Sequence, residues 1–399
     1  MTQPLKQHLI DPEICIRCYT CENTCPIQAI EHDDNNVVVD AEKCDFCMDC
    51  ISVCPTGSID EWRVVNVPYS LEQQYDWDEL PEQEDLQSND LTADASGVAA
   101  EDDPIALLLA EAHKGAGGKA IAPSSASSPT VNLYNLGNAT KATVQGNFKL
   151  TADSADSDVR HIILDFKGKP FPVLEGQSVG ILAPGTDAEG NPPLPRLYSI
   201  SSPRDGERAG YNNVSLTVKR EEAGLCSNYL CDLAIGDEVS VTGPFGSTFL
   251  LPTDPEAKLL MVCTGTGSAP MRAFTMARQR TVGVKPGSMV MYFGARTPES
   301  LPYFGPLKKV PKSLLEQHLC YSRLPGQDKV YVQDRMLQDK EKLASMLGDN
   351  HTHIFICGLK EMEQGVEQAF SEIAAHSGVD WNQLRDSMRQ QGRYHMETY

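Results

Sequence analysis

Long apolar runs are missing from this chain. Its 399 residues contain no stretch of about 18 consecutive apolar side chains, so no membrane-spanning helix is expected. The first residues, MTQPLKQHLIDPE, carry no apolar segment behind a basic patch, which argues against a secretory signal and for a cytoplasmic protein. Basic side chains are scarce as well. There are 34 Lys and Arg against 55 Asp and Glu, a formal net charge of −21. Non-specific binding to a phosphate backbone needs a basic surface, so a nucleic-acid partner is not expected. What remains is an ordinary globular composition, 41% hydrophobic and 22% charged, with length for about two or three domains.

Cysteine, by contrast, is plentiful and clustered. Eight of the 13 cysteines fall within residues 15–54. A disulfide framework is expected in short secreted chains, whereas this clustering at the head of a long chain points to metal or cluster chemistry in a reducing compartment. Acidic charge is clustered too. Residues 1–64 hold 12 acidic and 4 basic side chains, and residues 71–130 hold 13 and 2. The second of these stretches is rich in Ala, Ser, Gly and Asp and poor in large apolar residues. It cannot bury enough surface to offset its ordering entropy, so a linker is expected over 67–135. Within it, IALLLAEAH (105–113) is apolar enough for a short helix.

The run Cys15-x2-Cys18-x2-Cys21-x3-Cys25-Pro26 recurs as Cys44-x2-Cys47-x2-Cys50-x3-Cys54-Pro55, a repeat of 29 residues. Three thiolates spaced by two residues wrap one cubane, and the fourth of each run reaches the other cluster. Cys15, Cys18, Cys21 and Cys54 then hold one [4Fe–4S] cluster, and Cys44, Cys47, Cys50 and Cys25 hold the second. Two zinc knuckles are the competing reading of the same thiols. Over residues 5–66 the pattern resembles the bacterial two-cluster ferredoxins, which implies two neighbouring electron-carrying clusters.

The rest of the chain changes period. Residues 136–252 show strand-like alternation (ATVQGNFKL, VRHIILDF, NVSLTVKR, DEVSVTG) broken by Gly and Pro, as in an antiparallel barrel. Residues 257–399 alternate buried strands with helices: KLLMVCTG then APMRAFTMARQR, SMVMYFGAR, and HTHIFICG then LKEMEQGVEQAFSEIAAHSG. Such alternation predicts a parallel sheet with ligands at the carboxyl ends of its strands, where Gly265, Gly267 and Gly358 sit. The expected fold class is therefore α+β and α/β multidomain. His351 and His353 alternate on a predicted strand and read as solvent-side. Cys226, Cys231, Cys263 and Cys320 lack metal-ligand spacing.

Several short motifs occur in order: Arg196-Leu197-Tyr198-Ser199, Lys219-Arg220, Gly224-Leu225-Cys226-Ser227, Thr264-Gly265-Thr266-Gly267, Cys357-Gly358-Leu359-Lys360-Glu361-Met362, and a terminal Glu397-Thr398-Tyr399. Together they resemble the plant-type ferredoxin–NADP reductase family over about residues 138–399. The resemblance implies an FAD-binding barrel and an NADP-binding α/β domain. It assigns Arg196 to the flavin diphosphate, Tyr198 to the isoalloxazine ring and Ser199 to the neighbourhood of N5. Cys226 and Ser227 fall at the FAD site, with Ser227 offering a helix N-terminus to the diphosphate. Thr264, Gly265, Thr266 and Gly267 form the nicotinamide-nucleotide loop, with Lys219 near its pyrophosphate. Ser322, Arg323, Tyr331 and Gln333 resemble the 2′-phosphate pocket, which favours NADP(H). Ser199, Cys357, Glu397 and Tyr399 resemble the hydride-transfer set.

The chain departs from the plant pattern in two places. Only Glu221-Glu222-Ala223 separate Arg220 from Gly224, where plant enzymes carry a longer, adenine-stacking loop. Cys263 stands where a glycine usually precedes the TGTG turn. The fusion to a ferredoxin resembles reductase components of oxygenase systems. It implies electron flow from NADPH through FAD and two [4Fe–4S] clusters to a di-iron oxygenase partner that epoxidises benzoyl-CoA. Flow from a low-potential donor to NADP, and a redox sensor without turnover, are the competing readings.

Overall fold

The computed structural model describes residues 5–12, 15–45, 47, 50, 54, 58–59, 62–65, 67–81, 121–185, 194–281, 288–303 and 310–399. The expected helix at 105–113 lies outside the described residues. The described residues fall into two compact units. One is built on the N-terminal residues together with 165–172 and 205–213; the other holds 121–164, 173–204 and the chain from 214.

In the N-terminal unit, β1 (Leu5–His8) pairs antiparallel with β4 (Trp62–Val65), joining the two ends of the repeat. A hairpin of β2 (Ile30–His32) and β3 (Val37–Val39) lies between them in sequence. Its turn is closed by Asp33, whose Oδ1 accepts from the Asn35 and Asn36 amides at 2.7 and 2.6 Å. The short helix α1 (Thr20–Thr24) carries Cys21 inward. Ile10, Ile30, Val37, Val39 and Ile59 pack with Cys21 and Cys50 into one small apolar core.

Ordered structure reaches into the stretch expected as linker. Helix α2 (Leu71–Tyr75) begins with a Ser70–Gln73 capping box. Its buried Gln74 side chain accepts from Val39 N at 3.1 Å and donates to Val39 O at 3.0 Å. Asn36 Nδ2 donates to the carbonyls of Gln74, Tyr75 and Trp77. Amide side chains, not apolar burial, fasten this segment, so composition gives no sign of it. At the other end, Ser125 O accepts from Thr253 N, Ser127 Oγ accepts from Arg204 Nη1 at 2.8 Å, and Asn132 N donates to Pro244 O. Residues 125–134 thus run as a bonded strap over the second unit.

That unit contains two sheets. The first is antiparallel, built from β5 (Thr140–Lys149), β6 (Val159–Asp165), β7 (Ser178–Leu182), β8 (Arg196–Ser199), β9 (Asn213–Lys219) and β10 (Glu238–Phe245) in the order β8-β7-β10-β5-β6-β9. A bridge between Ile200 and Leu216 joins the two edge strands and closes the sheet into a barrel. Helix α3 (Leu225–Asp232) follows β9.

The second sheet is parallel throughout: β11 (Lys258–Thr264), β12 (Met289–Ala295), β13 (Leu315–Tyr321), β14 (Thr352–Gly358) and β15 (Tyr394–Thr398), in the order β13-β12-β11-β14-β15. Its helices are α4 (Ser268–Arg280), α5 (Val332–Gln338), α6 (Lys340–Leu347), α7 (Met362–His376) and α8 (Trp381–Gln390). Side chains alternate between two cores. Leu260, Val262, Ile354 and Ile356 face a layer with Phe370 and Trp381, while Met261, Cys263, Phe355 and Cys357 face one with Phe274. The two histidines read as solvent-side divide here: His351 is exposed, whereas His353 is buried. Burial and the nearby Arg393 push His353 down to about 4, so it sits neutral. Both faces of a parallel sheet are covered, and a polar side chain in such a strand goes inside with its neighbours.

Candidate functional site

Two groups of thiols form in the N-terminal unit. Cys25, Cys44, Cys47 and Cys50 line one cavity, whose other walls include Ala29, Ile30 and Val39. Cys15 and Cys54 lie within electrostatic reach of Cys21, and Cys54 within reach of Cys18. The spacing groups these same thiols; Cys50 and Cys21, from different groups, also lie within electrostatic reach of each other. Left-handed backbone at Arg17 (φ 52°) and Tyr19 (φ 57°) turns the first loop around its site. Among the described residues no three His, Cys, Asp or Glu side chains converge on a point that would hold a single ion.

The donor set fits iron–sulfur clusters. Burial pushes the Cys21 thiol up to about 11 and Cys50 up to about 12, and neighbouring thiols add to both shifts. Only a strongly bound cation would deprotonate such groups at neutral pH, as coordination does. Local donors already point at sulfur. Ala29 N donates to Cys25 Sγ at 3.2 Å and Thr20 Oγ1 to Cys18 Sγ at 3.4 Å. Hydrogen bonds to the sulfurs are among the features that set a cluster's potential.

Arg196, Tyr198 and Ser199 lie together on β8 of the barrel. Among the described residues the Arg196 side chain is exposed and forms no ion pair. Cys226 is buried and its thiol donates to Ile181 O at 3.8 Å; it lies close to the Tyr198 hydroxyl, and burial raises both groups above their ordinary range. Ser227 is the third residue of α3; its Oγ accepts from Glu221 N and donates to Gly224 O, both at 3.1 Å. The hydroxyl therefore clasps the short Glu221–Gly224 turn. Lys219 Nζ donates to Glu221 Oε1 at 2.7 Å on the surface.

The loop after β11 is a single 3-10 turn, Gly265–Gly267, leading directly into α4. It sits against the end of β14. A Cβ on Gly267 would stand 2.1 Å from Cys357 O and 2.7 Å from Gly358 Cα. Gly358 has φ +149°, and a Cβ there would meet Thr264 Oγ1 at 2.3 Å. Thr264 Oγ1 accepts from Leu359 N at 3.1 Å and so ties the two strand ends together.

At the edge of the same sheet, Ser322 N donates to Ala295 O, Arg323 N to Arg296 O at 2.8 Å, and Val330 N to Tyr321 O. These bonds bring Ser322, Arg323 and Tyr331 side by side at the strand ends. Tyr331 is 45% exposed. Gln333 lies against Gly365 of α7. Sequence reasoning missed Arg296. It follows β12 beside Arg323 and, like Arg323, is exposed without an ion pair among the described residues. Its place at a strand's carboxyl end was the available signal.

The structure also brings Cys357, Glu397 and Tyr399 together, while Ser199 comes from the other sheet. Cys357 pairs in register with Cys263 on one side and Glu397 on the other. Burial, with Glu397 and Cys263 nearby, holds the Cys357 thiol well above its ordinary range. Burial pushes the Glu397 carboxyl up to about 8. Both shifts favour the uncharged form. Tyr399 N donates to Gly358 O at 3.1 Å, its carbonyl accepts from Lys360 N, and its hydroxyl bonds Thr266 Oγ1. The ring nevertheless keeps an open face, with 56% of the residue exposed.

Comparison with known proteins agrees with this architecture. Residues 7–55 match a 4Fe-4S dicluster domain, 154–249 an oxidoreductase FAD-binding domain, and 261–368 an oxidoreductase NAD-binding domain. The ferredoxin–NADP reductase of Thermosynechococcus vestitus is 36% identical over 289 residues, covering 67% of this chain and 75% of that protein. The ferredoxin–NADP reductase of Spirulina sp. is 36% identical over 288 residues, covering 67% and 98%. A solved ferredoxin-NADP+ reductase from Plasmodium falciparum shares the fold, at a TM-score of 0.55 and 24% identity over 67% of this chain and 99% of that one. Among the described residues no helix is long and apolar enough to cross a membrane. FAD, NADP(H) and 4Fe-4S clusters are the cofactors of these domains. The chain belongs to the ferredoxin–NADP reductase family and adds to it an N-terminal 4Fe-4S dicluster domain.

Proposed function

We propose that this protein is the reductase component of a benzoyl-CoA 2,3-epoxidase system, acting in the cytoplasm and taking its electrons from NADPH. The observation that carries the reading is the presence, in one chain, of a hydride-accepting flavin module and two thiol sets for one-electron clusters. In this division of labour residues 5–66 hold the clusters, 136–252 the FAD and 257–399 the NADP(H). The flavin, when bound, takes a hydride's two electrons together and releases them one at a time.

The chain's own residues bind and orient. Arg323 and Arg296 pair with the 2′-phosphate, Ser322 adds a hydroxyl, and Tyr331 offers its exposed ring to the adenine. Gly267 and Gly358 let backbone approach the dinucleotide. Tyr399 covers the hydride-transfer site until nicotinamide displaces it. The uncharged Cys357 thiol and Glu397 carboxyl keep fixed charge away from the transferring hydride. Tyr198 and Ser199 hold the flavin from the barrel side, and Arg196 meets its diphosphate.

Delivery is to a di-iron oxygenase. NADPH, a proton, O2 and benzoyl-CoA give NADP+, water and the epoxide, so each epoxide consumes one hydride equivalent. The test mixes the purified protein with NADPH, O2, the oxygenase and benzoyl-CoA and measures epoxide against NADPH consumed. Near one-to-one coupling is expected. NADPH oxidation that the oxygenase does not accelerate would overturn the partner assignment.

A further inference from the structure

A buried polar cluster ties the barrel to the helix that follows β11 and to the segment that follows β12. Strand β8, which carries Tyr198 and Ser199, runs on through Ile200 to Ser201. Ser201 is fixed to the barrel by its amide, which donates to Ser215 O at 2.7 Å, and by a 3.1 Å contact between the two hydroxyls. Its carbonyl accepts from Arg272 Nη1 at 2.8 Å. Arg272 belongs to α4, the helix that the Thr264–Gly267 loop opens. The same guanidinium lies over the Tyr303 ring, 5.0 Å from its centroid. The Tyr303 hydroxyl in turn bonds Thr217 Oγ1 on β9 and His161 Nδ1 on β6, the latter at 3.2 Å. Ser201, Thr217, His161, Arg272 and Tyr303 are all buried.

The barrel thus contributes Ser201, Thr217 and His161, helix α4 contributes Arg272, and the segment after β12 contributes Tyr303. A guanidinium is planar and rigid, and its direction of donation is fixed once it stacks on a ring. Buried hydrogen bonds of this kind specify one arrangement, because a sliding motion would leave polar groups unpaired. We propose that Arg272 and Tyr303 are positioning residues that set how closely nicotinamide approaches the flavin, by locking β8 to α4. The proposal rests on the reading that Tyr198 and Ser199 face the flavin and that residues 264–267 receive the nicotinamide nucleotide. Hydride transfer is steeply sensitive to such placement; about 1 Å of misalignment costs about a hundredfold.

The experiment compares the full chain, loaded with FAD and clusters, with Tyr303→Phe and Arg272→Lys. Tyr303→Phe keeps the ring and removes the hydroxyl that bonds Thr217 and His161, so it remains informative if the arginine variant folds poorly. The readouts are FAD content, NADP+ affinity from difference spectra, the long-wavelength charge-transfer absorbance of the nicotinamide–flavin complex, and flavin bleaching by saturating NADPH. The expected result is FAD content and NADP+ affinity within about twofold of the parent, a charge-transfer band less than half as intense, and bleaching about ten- to a hundredfold slower. An unchanged band and rate, or losses that follow FAD release or weakened NADP+ binding alone, would overturn the proposal. A parent chain that NADPH does not bleach would overturn the underlying assignment and the proposal with it. A parent that bleaches, with variants that match it, would overturn the proposal alone.

Discussion

Replacing Gly267 with alanine probes the contact on which the nucleotide site depends. The added Cβ would lie 2.1 Å from the Cys357 carbonyl oxygen and 2.4 Å from its carbon, both backbone atoms that no side-chain rotation can relieve. A normal carbon–oxygen contact is longer by about 1 Å, so the end of β11 must part from the end of β14 by about that much. Overpacking of this size costs about 1–3 kcal/mol. In a unit of this length that lowers Tm by about 3–10 °C. The functional loss should be larger, because Cys357 and the Thr264–Gly267 loop then no longer meet the dinucleotide together; about a hundredfold slower flavin reduction is expected. Stopped-flow absorbance under saturating NADPH measures the rate, and calorimetry measures Tm. Gly168→Ala serves as the control, since a Cβ there meets nothing within 4 Å. A Gly267→Ala protein that matches the control in both rate and Tm would refute the close-approach reasoning.

Glu397 is held protonated by burial, up to about 8 against an ordinary 4.5. Between those values the folded chain binds one proton more than the unfolded chain, so this group's contribution to stability is complete below 4.5 and is lost as pH rises toward 8. Glu397→Gln, neutral at every pH, should therefore gain stability over the parent as pH rises from 5 to 8, by about 2 kcal/mol after discounting for the part of the side chain open to water; parallel Tm profiles would contradict this. Removing Arg323 should raise KM for NADPH at least about tenfold with little change for NADH, as loss of a charge-assisted phosphate pair implies. Equal losses with both coenzymes would sink the pocket assignment. Cys54→Ser should abolish the EPR signal of the cluster that Cys15, Cys18 and Cys21 share, whereas Cys25→Ser should abolish the other. The same cluster lost from both variants would show that the crossed pairing is wrong.

Spacing and period made most of the architecture readable. Two cysteine runs with a fixed 29-residue offset leave few arrangements, and Cys25 lines one cavity with Cys44, Cys47 and Cys50. The change from strand alternation to strand–helix alternation near residue 257 separates the antiparallel from the parallel sheet. What could not be read depends on single polar contacts between residues far apart in sequence. Gln74 and Asn36 fasten α2 to the β2–β3 hairpin through amide bonds that leave no hydrophobic pattern. His353 looks solvent-side by alternation, yet both faces of β14 are covered. Cys226 and Ser227 sit next to each other in a motif that points to the flavin. The thiol donates to the Ile181 carbonyl and the hydroxyl clasps the Glu221–Gly224 turn, a choice that only the packed backbone decides.

The direction and path of the electrons can be read from an anaerobic NADPH titration of the purified protein, followed by visible absorbance and low-temperature EPR. Electron flow from NADPH through the flavin to both clusters predicts bleaching of the flavin and two interacting reduced-cluster signals, saturating near two NADPH per chain, with reoxidation on adding the oxidised oxygenase. Clusters that stay oxidised under NADPH yet are reduced by dithionite would place their potential below the coenzyme's. That result would contradict the proposed direction and make NADP the acceptor.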